Sequence, residues 1–155
     1  MSLLPSGVME TPSNAYFVKN DLSNDQVVQT PPNELGLNIP AGGGLRSVSL
    51  GTVNLKPGNY QITMPFTIEL PTGNVSADLF YVAVRTNKTP FIYLASSTVP
   101  PNSVYTGTGW YGSVTYTHRL SGHYEIIGTA TQYNLSSTNS YNIFWNYVTF
   151  QYLGP

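Results

Sequence analysis

Two histidines, His118 and His123, bracket the tetrapeptide Arg119-Leu120-Ser121-Gly122. Glu125 follows His123 at the two-residue spacing that places both side chains on one face of a strand. Two imidazoles and a carboxylate are a donor set for a divalent transition metal with open coordination positions, the chemistry of a metal-dependent, cupin-like enzyme. The spacing fits no established ligand motif, however, and a turn flanked by polar residues produces the same letters. Ser121, a histidine and Asp78 contain the residue types of a nucleophile, base and orienting acid, but serine is so abundant that the coincidence has no weight. Gly42-Gly43-Gly44 lacks the Lys-Ser/Thr that completes a phosphate-binding loop, and it precedes a strand where that loop needs a helix. Of the seven acids, only Glu69, Asp78 and Glu125 lie in or beside strong strands, and they read as solvated positions instead of a glycoside-cleaving pair. The expectation is a non-enzyme with no cofactor.

Aromatic residues are the more informative group. If Tyr141 to Leu153 is one strand, alternation sends Phe144, Val148, Phe150 and Tyr152 to one face and Tyr141, Trp145 and Tyr147 to the other. A two-layer fold buries only one of these faces. Tyr141, Trp145 and Tyr147, together with Tyr81 in the doubly apolar run Leu79–Val84, are therefore expected at an oligomer interface, most simply in a closed trimer. Trp110-Tyr111, flanked by glycines, offers rings for stacking on a sugar, the signature of a carbohydrate-binding module or adhesin.

Composition narrows the setting. The 155-residue chain has no Cys, is only 8% charged and has a formal net charge of −1, so it has neither a disulfide framework nor a basic surface for nucleic acid. No run of apolar residues is long enough for a membrane-spanning helix. Met1-Ser2-Leu3-Leu4-Pro5 has no positive segment leading into a long apolar run, so synthesis without a cleavable signal peptide is expected. A hydroxyl- and amide-rich surface made without export suits a virion or another extracellular surface. Asn74, Asn87 and Asn134 begin Asn-x-Ser/Thr sequons near turns, where exposure is expected.

The elements that would position these residues are extended. From Tyr60, the residues Tyr60, Ile62, Met64, Phe66 and Ile68 alternate with Gln61, Thr63, Thr67 and Glu69, which predicts a strand with one core face and one wet face. Lys56-Pro57-Gly58-Asn59 and Pro71-Thr72-Gly73-Asn74 read as turns. About eight such segments, without helical periodicity, predict a single all-β domain over 25–155, an antiparallel sandwich of jelly-roll type, preceded by an arm over 1–24 in which Ala15–Val18 pairs as an edge strand.

Leu55-Lys56-Pro57-Gly58-Asn59-Tyr60-Gln61-Ile62, the run Leu79–Arg85 and the closing Thr149-Phe150-Gln151-Tyr152-Leu153 resemble the trimeric jelly-roll heads of the complement and tumour-necrosis-factor-like group. The single jelly-roll capsid proteins of icosahedral viruses are similar in length and strand count. His123 stands where the first group carries Asp after Leu-x-x-Gly. The resemblance implies a virion structural protein, a capsid subunit or a spike or fibre head, that self-assembles and contacts other virion proteins or host-surface glycans. With so few carboxylates, acid is expected to change stability only slightly.

Overall fold

The structure, a computed structural model, describes residues 2–3, 8–10, 16–19, 26–31, 36–69, 78–100, 103–105 and 109–155. Twelve strands occur among them: β1 (Ser2–Leu3), β2 (Val8–Glu10), β3 (Tyr16–Lys19), β4 (Gln26–Gln29), β5 (Leu37–Ile39), β6 (Gly44–Glu69), β7 (Phe80–Thr86), β8 (Tyr93–Val99), β9 (Val104–Tyr105), β10 (Gly109–Gln132), β11 (Tyr141–Phe144) and β12 (Thr149–Gly154). All pairings are antiparallel.

β6 and β10 pair with each other from Gly44 opposite Gln132 to Glu69 opposite Gly109. Drawn straight, the 26 residues of β6 would extend about 85 Å, so the ribbon must bend. Its register slips between Leu120 and Gly122 and again between Ile126 and Ile127, the sites where a bulge bends and twists a ladder. Lys56 and Pro57 fall in the first slip, between Gly58 opposite Leu120 and Leu55 opposite Gly122. The expected Pro-Gly turn is therefore a bend inside one strand, at a position where a proline's missing N–H costs no ladder bond.

The bend brings the two ends of β10 together. Trp110 lies near its start, and Phe80 pairs with Gln132 at its finish, yet the two rings are 5.6 Å apart. One layer consists of β8, β7, the second half of β10 and the first half of β6. The other contains the first half of β10 and the second half of β6, followed by β12 and β4, with β11 and β5 alongside the end of β6. This is an antiparallel β-sandwich of jelly-roll type. The strand expected from Tyr60 is the second half of β6, which begins at Gly44, and β10 likewise runs unbroken from Gly109 to Gln132. Tyr16–Lys19 pairs with β4, and β2 and β1 continue that meander.

The core between the layers joins Leu50, Val53 and Leu55 of the first half of β6 to Ile62, Met64, Phe66 and Ile68 of the second, with Val82, Val84, Ile126 and Phe150. Two residues expected at an oligomer interface are part of it: Tyr141 and Trp145 are each 0% exposed. The reason is a shift in parity. Tyr147 adopts a left-handed backbone (φ 53°) and interrupts the strand between β11 and β12. Tyr141, Ile143 and Trp145 therefore face inward before the break, and Val148 and Phe150 face inward after it. Only Tyr147 of the expected stripe is exposed, and the uncovered aromatic face from which a trimer was expected does not exist. Trp145 lies on Gly128, where an added Cβ would stand 2.9 Å from the indole.

Asp78 is likewise not solvated; it is 1% exposed. Ser137 Oγ donates to it at 2.7 Å, Asn134 Nδ2 at 2.9 Å and Asn139 Nδ2 at 3.3 Å, and the Tyr141 hydroxyl donates as well. Burial alone would raise the Asp78 pKa, but these donors together hold it below the usual carboxylate range. The Tyr141 phenol is pushed up, first by burial and then by its bond to Asp78. Asn134 is half-buried instead of exposed, with its Nδ2 donating to Asp78 and its Oδ1 accepting from Ser136 N at 3.1 Å. Asn87 is exposed, with Nδ2 3.2 Å from Glu125 Oε2, and Asn74 lies outside the described residues.

Two outcomes follow from this core. Trp145→Ala is expected to cost about 4 kcal/mol of stability in urea unfolding, and Trp145→Glu to prevent folding instead of releasing folded monomers. Because the folded Asp78 carboxylate titrates lower than the unfolded one, its contribution is complete above about pH 4 and lost as pH falls through the lowered folded value. Asp78→Asn should therefore lower stability at pH 7 by roughly 3 kcal/mol and flatten the acid limb of the thermal-midpoint profile; an acid limb equal to wild type would contradict the assignment.

Candidate functional site

The outer face of the second layer is built by the residues that alternate with the core. Across β10, β6 and β11, Tyr111 pairs with Thr67, and Thr67 with Phe144, giving one row perpendicular to the strands. The row on one side of it reads Gly109, Glu69, Asn142 and Asn38, running onto β5. On the other side Ser113 pairs with Pro65, and beyond it Thr115, Thr63, Thr149 and Gln29 continue in register through β12 to β4. Tyr111 is 49% exposed, while Thr67 and Phe144 are half-buried. Thus a tyrosine and a phenylalanine stand on the same face two strands apart, a separation of about 10 Å, with a threonine between them.

Local packing fixes this arrangement. Gly36 has a φ of 71°, and an added Cβ there would meet the Phe144 ring at 2.7 Å, so the ring lies flat against bare backbone. Asn38 Nδ2 contacts Asn142 Oδ1 at 3.2 Å, Ser140 Oγ at 3.1 Å and the Tyr141 carbonyl at 3.3 Å. With its oxygen taken, Asn142 keeps an amide N–H₂ to donate. Thr63 and Thr115 hydroxyls are 3.3 Å apart across the ladder. The face offers hydroxyls, amides, one carboxylate and two rings.

Among the described side chains, four cations can be placed away from it. Arg119 shares the outward parity of Tyr111 but lies eight residues along β10, about 27 Å away. Lys56, Arg85 and Lys88 lie over the rings of Tyr152, Phe91 and Tyr124. The stretches 70–77 and 101–108 contain no Lys or Arg.

Of the residues singled out from sequence, Tyr111 is the one on this face. Trp110 is 5% exposed, with its ring 6.3 Å from that of Tyr141, because consecutive strand residues face opposite ways and Trp110 has the inward parity. It cannot stack on an external sugar. His118 Nε2 is 2.9 Å from the Leu94 carbonyl, and Tyr116 OH donates to the Ser96 carbonyl at 2.9 Å, so both side chains close the outer edge of β8. His123 Nδ1 is 2.5 Å from Asn54 Oδ1. Five residues apart on one continuous strand, His118 and His123 point to different faces, and no group of His, Asp and Glu able to hold a metal occurs among the described residues. Tyr81 is half-buried on the other layer, away from Tyr147. Thr67, Glu69, Asn142 and Phe144 were missed as site residues, since only the register of β11 on β6 reveals them as neighbours of Tyr111.

No protein-family model and no curated protein matches the sequence. Among solved structures, a protein described as CBM4 is similar over 91% of this chain and 88% of its own, at 12% identity and a TM-score of 0.37. The CBM22-1–GH10 modules of Clostridium thermocellum endo-1,4-β-D-xylanase 10B, complexed with xylohexaose, give 15% identity and a TM-score of 0.36. An arabinose-bound GH51 α-L-arabinofuranosidase gives 11% and 0.40. The chain spans 26% of the xylanase chain and 22% of the arabinofuranosidase chain. At these scores the likeness is loose; the chemistry rests on the residues themselves.

Tyr116→Phe removes one cross-layer hydrogen bond and is expected to lower stability by about 1 kcal/mol without altering the outer face, measurable as a shift in the urea midpoint at constant slope.

Proposed function

We propose that this chain is a non-catalytic carbohydrate-binding module that holds its ligand on the outer face of the second layer. The observation that carries the reading is the row Tyr111–Thr67–Phe144, an aromatic pair on an open face otherwise made of hydroxyls and amides. A sugar ring has an apolar face of C–H groups and an equatorial rim of hydroxyls. An exposed aromatic ring takes the first, while amides and carboxylates in the adjacent row take the second. Tyr111 stacks, Phe144 supports, and Glu69 and Asn142 meet hydroxyls with an acceptor and a donor respectively. Among the described residues Glu69 is the single acid of these rows, and a hydrolytic pair needs two carboxylates.

Rigidity favours this use. The binding atoms belong to paired strands, not loops, so little backbone order is lost on association. The half-buried Phe144 and the Asn38-held Asn142 are already fixed by packing and hydrogen bonding.

Purified protein should be retarded in native gels containing soluble plant or bacterial polysaccharides. Tyr111→Ala should weaken that retardation at least about tenfold while leaving circular dichroism and the thermal midpoint unchanged. Unaltered retardation in the variant would remove the assignment to this face. A protein that bound no carbohydrate in gels or on a glycan array would remove the reading itself.

A further inference from the structure

Resting on the carbohydrate-binding reading, we infer that the ligand is a neutral, 1,4-β-linked pyranose chain bound internally, crossing the strands along the row Tyr111–Thr67–Phe144 with alternate sugar rings on Tyr111 and Phe144. Three observations carry this. The two residues lie in one register row with a single strand between them, so their backbone positions are about two strand spacings, or about 10 Å, apart. In an extended 1,4-β-linked chain, successive sugars are turned over, so rings i and i+2 present the same face to a surface. Their separation is two sugar repeats, the same span. The intervening sugar lies over Thr67, whose small branched side chain leaves room for it and provides a hydroxyl. 1,4-α-Linked glucans coil away from a flat face and cannot touch both rings.

The flanking rows define the charge. Glu69, Asn142 and Asn38 border one side of the path and Ser113 and Pro65 the other. Glu69 opposes an acidic sugar, and among the described side chains the cation that shares this outward parity on β10, Arg119, is about 27 Å along the strand. Among the described residues the sheet continues past the row on both sides, from β10 to β9 and from β11 to β5. No described residue of the row closes it at either end, which suits binding to internal stretches.

The test is isothermal titration with cello- and xylo-oligosaccharides of increasing length, together with malto-oligosaccharides, polygalacturonate fragments and a sialylated glycan. One neutral β-linked series is expected to gain about tenfold in affinity between disaccharide and trisaccharide, the first length that spans both rings. Phe144→Leu, which keeps an apolar side chain against Gly36 but removes the ring face, should abolish that step and leave disaccharide binding in place. Thr67→Arg, placed between the rings, should block the trisaccharide if Phe144→Leu proves unstable. Affinity that is already complete at the disaccharide, or stronger binding of the malto, acidic or sialylated probes, overturns the inference and leaves the carbohydrate-binding reading intact. Failure of every carbohydrate to bind overturns both.

Discussion

The pairing of β6 with β10 supports everything else in this molecule. Each long strand passes through both layers, so one ladder determines at once which residues enter the core, where the sheet folds over and which residues are left on the outside. The slips at Leu120/Gly122 and Ile126/Ile127 are what allow a ribbon of this length to become a sandwich. Without them the Tyr60–Ile68 face and the Leu50–Leu55 face could not share one core. The remaining strands add to this ribbon: β7 and β8 to one half, β12, β4 and β11 to the other.

The candidate face is a by-product of the same ladder. Every inward residue of β6 specifies an outward neighbour, so the apolar pattern Ile62, Met64, Phe66 and Ile68 requires Thr63, Pro65, Thr67 and Glu69 to line the opposite side. Register then places Tyr111 and Phe144 on either side of Thr67. The buried polar cluster at Asp78 serves the face at one remove: Tyr141, which begins β11, is held through its hydroxyl by Asp78, and this anchors the strand that presents Asn142 and Phe144. A carboxylate whose partners among the described residues are four neutral donors is a positional device, because shifting any of those groups leaves a buried charge short of a partner.

Much of this was legible in the residues. The alternation from Tyr60 predicts the observed strand and its inward face, and the absence of helical periodicity gives the fold class. What failed was parity. Reading Tyr141 to Leu153 as one strand inverts the faces, because a single left-handed residue, Tyr147, shifts the alternation by one, and Tyr has no strong preference that would mark the site. That slip turned the core residues Tyr141 and Trp145 into an imagined interface and removed the basis for a trimer. Trp110 failed for a different reason: it and Tyr111 were read as two rings offered together, whereas Gly109 opens a strand in which they face opposite ways. Asp78 could not be read as buried, since its donors Asn134, Ser137, Asn139 and Tyr141 lie some sixty residues away and meet it only through the fold.

The central claim is that ligand contact lies on the outward rows of β10, β6 and β11. Backbone amide shifts followed by solution NMR during titration with a neutral β-linked trisaccharide test it most directly. The account expects the perturbed amides to be those of Gly109 to Ser113, Thr67 to Glu69 and Asn142 to Phe144, with Tyr81 to Arg85 and Tyr93 to Thr98 unmoved. Shifts concentrated on β7 and β8, or confined to loops with these rows unmoved, would contradict it.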